Sequence, residues 1–540
     1  MAMEKQMISG EVPVSPFSRL FSMPGLDCFN IETGIGGKKA KWIPTKVKVE
    51  DHVVVPDIDP TIENPDQFLE DYTSNMVFSP IDMSKPLWEM HILNMKTSDA
   101  ESFLVARFHH SLGDGMSLMS LLVACSRKTS DPESLPTLVA PKKSKVTNVL
   151  WSLVARVWFI IRLMCNTFVE VFNFLLILCS VRDAATPLME KPISTLSLNK
   201  FIHRVISLDD VKIVKNAMNM TVNDVIVGMV QAGLSRYLSQ KYDSETNSKL
   251  KRSLENVSLR AVVFFNLRSN KKIEDLAEMM AKRSTSRWGN SIGYVMIPLW
   301  MRSENDIFEY IRRAKTIMDR KKISLEPLFS YVLLKLTVEI FGSKGGKQAL
   351  RNLAMRIFGR STIILSNVAG PSEEISLFEH QISYFAASIS GFPQALIVHI
   401  TSYVNKVIIN LGVDLDVIPD PHHLCDHMVE ALQMMKSAAE EKCSADLNRL
   451  NVVFNIQNYD VDMCVLSISW LNFGSPGSMA ANSSSISVIN HMPHSSLRSV
   501  SVPLSHRKLP TFRAFSSTTM ADAKDAGMDD VQRRLMFEDE

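Results

Sequence analysis

The sequence predicts a mixed α/β (α+β) protein built from two domains. Three observations carry this. The chain has 540 residues, more than the roughly 250–300 at which a single core stops growing. Two stretches, 1–135 and 195–440, each mix short apolar runs of strand length with longer helical ones. Between them, 136–194 holds a polar linker and the greasiest segment of the chain.

In the first region, "SFLVARFHH" reads as a buried strand from Ser102 to about Phe108, and "MSLMSLLVACS" as a buried helix with Asp114 and Gly115 at its start. From Ser126 to Val146 the composition turns to Lys, Ser and Pro, as in a linker. Residues 148–181 are apolar enough to suggest a bilayer span of about 20 residues, but Arg156, Arg162 and Glu170 interrupt the run. On a wheel of about 100° per residue, Asn148, Ser152, Arg156, Arg162, Asn166, Glu170, Asn173 and Ser180 fall within an arc of about 120°. Phe159, Leu163, Phe174 and Ile177 intrude on that stripe, which still favours a helix lying along a membrane surface or against protein; a spanning helix and a buried connector are the alternatives.

In the second region, "TVNDVIVGMVQAGLSRYL" carries a Thr/Asn/Asp helix start. "RAVVFFNLR" and "STIILSN" read as strands, "ALIVHITSY" and "KVIINLGVD" as a strand pair, and "VIPDPHHLCDHMVEALQMMKSA" as a Pro-led turn into a helix. Beyond residue 440 the character changes. No acidic residue occurs between Asp462 and Asp522, and the stretch is rich in Ser with scattered Arg and Lys. This resembles a transit peptide in an internal position, with too little patterned apolar surface to fold.

Composition narrows the function. A net charge of +2 supplies no global field for nucleic acid. The seven cysteines are scattered and form no C-x-x-C pair, which argues against a disulfide framework or a zinc site and fits a reducing compartment. The opening "MAMEKQMISG" is too polar for a secretory leader. G-x-S-x-G, P-loop and dinucleotide fingerprints are missing.

The chemistry concentrates in "RFHHSLGDGMSL", Arg107–Leu118. A histidine at the end of a buried strand is held rigidly and keeps a neutral, basic nitrogen near pH 7, as a general base for a hydroxyl or thiol requires. Alternation along a strand lets only one of His109 and His110 face a given cleft. Asp114 can orient an imidazole, pair with an arginine, or cap the following helix; Gly115 permits a tight turn. A metal held by His109, His110 and Asp114 lacks further ligands at zinc spacing. His422 and His423 in "DPHHLCD" read as turn decoration.

The His-His-x-x-x-Asp-Gly pattern resembles the signature of CoA-dependent acyltransferases with the chloramphenicol acetyltransferase-like fold. With "PLWEMHIL", "VNDVIVG", "NLR", "WGNSIGYVMIPL", "SNVAGPSEEI", "GFPQALIVHITSY" and "VIPDPHHLCD" in order, the chain resembles the plant branch of the bifunctional wax ester synthase/diacylglycerol acyltransferase family over most of residues 10–440. The resemblance implies two domains with the active site in a channel between them. It implies acyl transfer from acyl-CoA, as substrate and without a cofactor, to a long-chain alcohol or to diacylglycerol. It implies His110 as general base, His109 as its structural partner, Asp114 as brace of the loop and Gly115 as its turn. Pro86, Leu87 and Trp88 match a supporting Pro-Leu-Trp segment, and Asn223 with Asp224 a supporting Asn-Asp pair. Ser366 and Asn367 are candidate oxyanion donors. The implied location is the cytosolic face of the endoplasmic reticulum membrane, with the plasma membrane as the alternative.

Two departures stand out. Only Ser22–Ala40 separates "SPFSRLF" from "KWIPTKV", where the family carries a longer run of strand and helix; losing a strand there exposes a sheet edge. Residues 520–540 resemble the start of plant isopentenyl-diphosphate isomerase and stop short of that enzyme's catalytic residues. Two other readings remain: an acyltransferase of the same fold for another alcohol, though the D-F-G-W-G segment of the phenolic branch is lacking, and a non-catalytic lipid-binding relative.

Overall fold

Runs rich in Val and Ile build one mixed sheet at the centre of the fold, because β-branched side chains suit a pleated surface buried on both faces. The computed structural model describes residues 47–136 (except 83), 149–179, 198–244, 258–268, 289–341 and 358–457, together with Leu188 and the two-residue strands at 12–13, 41–42, 465–466 and 488–489. Residues 1–440 and 441–540 form separate compact units. The first unit holds both regions of mixed strand and helix.

Its elements run β1 (Val53–Val54), α1 (Pro65–Asn75), β2 (Trp88–Leu93), β3 (Phe103–Phe108), α2 (Gly115–Cys125), β4 (Arg127–Lys128), α3 (Val149–Cys179), β5 (Lys200–Ser207), α4 (Leu208–Met218), α5 (Val222–Ser244), β6 (Ser258–Asn266), β7 (Ile292–Trp300), α6 (Phe308–Lys322), α7 (Glu326–Phe341), β8 (Ile363–Ala369), β9 (Ile375–Leu377), β10 (His380–Gln381), β11 (Leu396–Tyr403), β12 (Lys406–Val413) and α8 (Pro421–Gln457). Helix α8 begins in this unit and runs past its boundary.

The large sheet has the order β5-β12-β11-β8-β6-β7. β8 is parallel to both β11 and β6; the other pairings are antiparallel. One face packs Leu396, Val398 and Ile400 against α5, α6 and α8, through Val230, Ile311 and Met428 among others. The opposite face presents Val262, Ile364 and Ile397 to α7 and to Phe174 of α3. Glycine is required where layers meet closely. A Cβ on Gly233 of α5 would come within 2.8 Å of the Met428 backbone, and one on Gly293 of β7 within 2.0 Å of the Pro327 carbonyl oxygen.

A three-stranded sheet, β1-β2-β3, carries the first region. Among the described residues β3 pairs on one side only, with β2. The segment expected as linker starts with structure: β4 pairs with β9 far along the chain, while 137–148 lie outside the described residues. Residues 148–181 form a helix over Val149–Cys179. His422 and His423 stand in the first turn of α8, where His422 Nε2 lies 3.3 Å from Glu70 Oε2. The transit-like and isomerase-like stretches lie almost wholly outside the described residues.

Candidate active site

Strand β3 delivers the histidine pair, and β2 fixes the end of β3. Trp88 pairs with Phe108 across the two strands, and the His109 N–H donates to the Leu87 carbonyl at 3.0 Å. Pro86 and Leu87 are buried. The Trp88 indole stacks on His52 with ring centroids 4.3 Å apart, and His52 Nδ1 donates to the Trp88 carbonyl at 2.7 Å. The Pro-Leu-Trp segment therefore clamps the backbone at His109.

His109 is buried, with Nδ1 2.7 Å from Ser111 Oγ and 3.3 Å from the Ser111 backbone N–H. That N–H can only donate, so Nδ1 accepts and the proton sits on Nε2. Burial, and then the neighbouring His110, push His109 down to about 4; it is neutral at any cellular pH. His110 is half-buried as a residue, with its Nδ1 sealed from solvent. Burial lowers its pKa below 6.5, opposed by its own backbone, the charge of Asp114 and the nearby Asn290.

Asp114 caps α2, accepting the Ser117 N–H on Oδ1 at 3.0 Å. Its Oδ2 accepts from Arg268 Nη1 at 2.8 Å and from the Ser291 N–H at 2.9 Å. The pair is buried, Asp114 being 1% and Arg268 10% exposed. Arg268 also donates to Ser117 Oγ and to the Gly289 carbonyl. Asn290 Nδ2 donates to the His110 carbonyl at 2.8 Å. Two segments from the second region, 266–268 and 289–291, thus hold the loop from both ends. Asp114 meets an arginine and a helix end. A Cβ on Gly115 would lie 3.5 Å from Val368 Cγ2 of β8, an ordinary contact, and Gly115 has no positive φ.

Val368 shows which side of the large sheet faces the loop. On that side the registers place His203 (β5), Asn410 (β12), His399 (β11) and Ser366 (β8) in one row across four strands. His399 is partly buried with a sealed Nδ1, and burial followed by the proximity of His110 pushes it down to about 4, against a backbone hydrogen bond at Ala387. Ser366 is half-buried and Asn367 exposed. Asn367 Nδ2 donates to Asn223 Oδ1 at 3.2 Å, joining the Asn-Asp and Ser-Asn segments at one edge. Asp224 is buried; its Oδ2 accepts the Thr221 N–H while the Asp224 N–H donates to Thr221 Oγ1, a reciprocal cap on α5. Lys322 Nζ lies 3.8 Å from its other oxygen.

The loop residues and Ser366 are thus gathered on one side of the sheet. Pro86–Trp88 clamp from behind, and Asp224 belongs to a helix start. Arg268, Asn290, Ser291 and His399 join them without having been singled out from sequence. Each stands in a family-like segment, but a strand does not reveal its neighbours.

Residues 40–226 match the model of the wax ester synthase/diacylglycerol acyltransferase catalytic domain, and residues 288–436 match the WS/DGAT C-terminal domain. Wax ester synthase/diacylglycerol acyltransferase 2 of Arabidopsis thaliana is 62% identical over 477 aligned positions, covering 82% of this chain and 98% of the relative. Wax ester synthase/diacylglycerol acyltransferase 3 of the same plant is 52% identical over 475, covering 82% and 97%. Both alignments span more positions than 82% of 540 residues supplies, so they carry gaps in this chain. The solved wax ester synthase/diacylglycerol acyltransferase from Marinobacter aquaeolei VT8 aligns with a TM-score of 0.47 at 16% identity, covering 81% of this chain and 89% of that one. On the two domain matches and the plant relatives, the chain belongs to the wax ester synthase/diacylglycerol acyltransferase family.

Proposed function

We propose that this chain transfers an acyl group from acyl-CoA to the hydroxyl of a long-chain alcohol or of diacylglycerol at a membrane surface, with His110 as general base and no cofactor. The observation that carries the reading is the way the structure holds His110. Asn290 holds its backbone carbonyl at 2.8 Å, at the end of β3 beside the Asp114–Arg268 pair, and burial lowers its pKa, which favours a neutral, basic imidazole near pH 7.

In this reading a nitrogen of that ring takes the acceptor's proton as the acceptor oxygen attacks the thioester carbonyl. The C–S bond then breaks, and the imidazolium returns the proton to the departing CoA thiolate. Ser366 Oγ is the better candidate for the oxyanion, since Asn367 already bonds Asn223. Asp114 and Arg268 position the loop and do not touch the reacting atoms. The names of the plant relatives support the substrate classes, and location at the cytosolic face of the endoplasmic reticulum is part of the same proposal.

The test is His110→Ala with labelled acyl-CoA and either hexadecanol or diacylglycerol. General base catalysis contributes about 10²–10⁴-fold, so turnover should fall by about that factor with the fold retained. The acid limb of the wild-type kcat/KM profile should lie below pH 6.5, because the base stays neutral as pH falls through its ordinary value. Full turnover in the variant overturns the assignment.

A further inference from the structure

Helix α3 is arranged inside out. The polar residues of its C-terminal half face protein, while Arg156 and Arg162 are exposed: Asn166 Nδ2 donates to the Ile323 carbonyl at 3.0 Å, and Thr167 Oγ1 accepts the Leu325 N–H at 2.9 Å. Glu170 is 1% exposed and pairs with Arg320 and with Lys321, whose Nζ lies 2.5 Å away. Lys321 in turn reaches Glu326 at 2.7 Å. Phe174 is buried against Tyr294 and Phe329.

The outward side carries Val154, Trp158, Ile161, Phe168, Phe172 and Leu175 at helical spacing, all exposed. Beside it, α7 exposes Leu328, Val332, Leu336 and Ile340, again one side of a helix. A surface helix ordinarily turns its apolar side to the core. Here a carboxylate is turned in and two adjoining apolar rows are turned out.

We propose that α3 and α7 together form an in-plane docking surface for an anionic phospholipid bilayer, with neither helix crossing it. This rests on the membrane-surface reading above and fixes how that surface is met. Charge selects the occupant. From Ser134 to Val169 the chain carries Lys142, Lys143, Lys145, Arg156 and Arg162 and no acidic residue, and such clusters next to an amphipathic helix attract anionic headgroups. Geometry sets the orientation. Glu170 is tied to Arg320 and Lys321 of α6, so a spanning α3 would carry these charges toward the hydrocarbon or break the pairs. Lying flat, α3 keeps them and buries its outer row together with that of α7.

The experiment uses the full chain with phosphatidylcholine vesicles, with and without phosphatidylserine. Wild type should co-sediment with the anionic vesicles, weaken in high salt, and leave native membranes in alkaline carbonate. Phe168→Ser/Phe172→Ser on α3 and Leu336→Ser/Ile340→Ser on α7 should each weaken vesicle binding by roughly tenfold or more, while acyl transfer to detergent-dispersed substrate stays unchanged. The α7 variant is decisive, because a spanning α3 would not need it. Wild-type binding by that variant, carbonate resistance with the flanks of α3 on opposite sides, or a concentration-dependent dimer with no vesicle binding would each overturn the proposal. The detergent assay reads acyl transfer separately, so a failed docking surface is distinguishable from a failed enzyme.

Discussion

Replacing Asp114 by asparagine tests how the histidine loop is held. Both carboxylate oxygens accept: Oδ1 from the Ser117 N–H at 3.0 Å, Oδ2 from Arg268 Nη1 at 2.8 Å and the Ser291 N–H at 2.9 Å. An amide of the same shape has one acceptor and one donor. With its oxygen toward Ser117, its NH₂ opposes two donors and the buried guanidinium loses its counter-ion. Turned over, it opposes the capping N–H of α2. Breaking a buried pair from one side costs about 3–5 kcal/mol. Arg268→Met should cost a similar amount by stranding the carboxylate. The double variant should be milder than the sum, with a coupling of about 1.5–3 kcal/mol. Urea unfolding of the four proteins measures the cycle, and kcat provides a second readout: displacing the loop by about 1 Å should slow turnover by about 10². Additive costs within about 0.5 kcal/mol, or an unchanged kcat in Asp114→Asn, would refute the idea that Arg268 holds His110 in place through Asp114.

Packing and burial give two further outcomes. Gly293→Ala puts a methyl group 2.0 Å from the Pro327 carbonyl oxygen, so β7 and the start of α7 must part; a loss of about 1–3 kcal/mol or more is expected in thermal unfolding, and a neutral result would mean that this approach is not close in solution. Burial pushes Glu326 up to about 7, with Glu170 adding to the rise and Lys321 opposing it. Its folded pKa exceeds the ordinary 4.5, so the folded state binds the proton more tightly and loses stability as pH climbs from about 4.5 to about 7. Glu326→Gln removes that loss, and its melting temperature should gain on wild type between about pH 5 and about pH 8; a gain that shrinks with rising pH would contradict the sign.

Local pattern revealed much of the fold. The alternation and composition of "SFLVARFHH", "RAVVFFNLR", "STIILSN" and the pair "ALIVHITSY" and "KVIINLGVD" marked β3, β6, β8, β11 and β12 to within a residue or two. Thr221 and Asp224 announced α5 because a cap is a local contact. The order of the sheet was not legible, since β8 lies between β11 and β6 through pairings far apart in sequence. The site divides in the same way. His109, His110 and Asp114 were visible because the motif is short. Arg268, Asn290 and His399 were not, because their partners lie across the fold. The wheel of α3 showed the polar stripe but not which side faces protein; that depends on Arg320 and Lys321, cations of a helix with no distinctive local signal of its own.

The bond from Asn290 to the His110 carbonyl joins residues 180 positions apart. During synthesis the motif therefore leaves the ribosome long before the groups that set its geometry exist. A nascent chain ending before residue 268 would carry both imidazoles yet lack the framework that aims them, so activity should switch on only once the second half has been made. Conversely, two separately produced halves, cut within the stretch between α3 and β5, should each be inert and regain turnover on mixing.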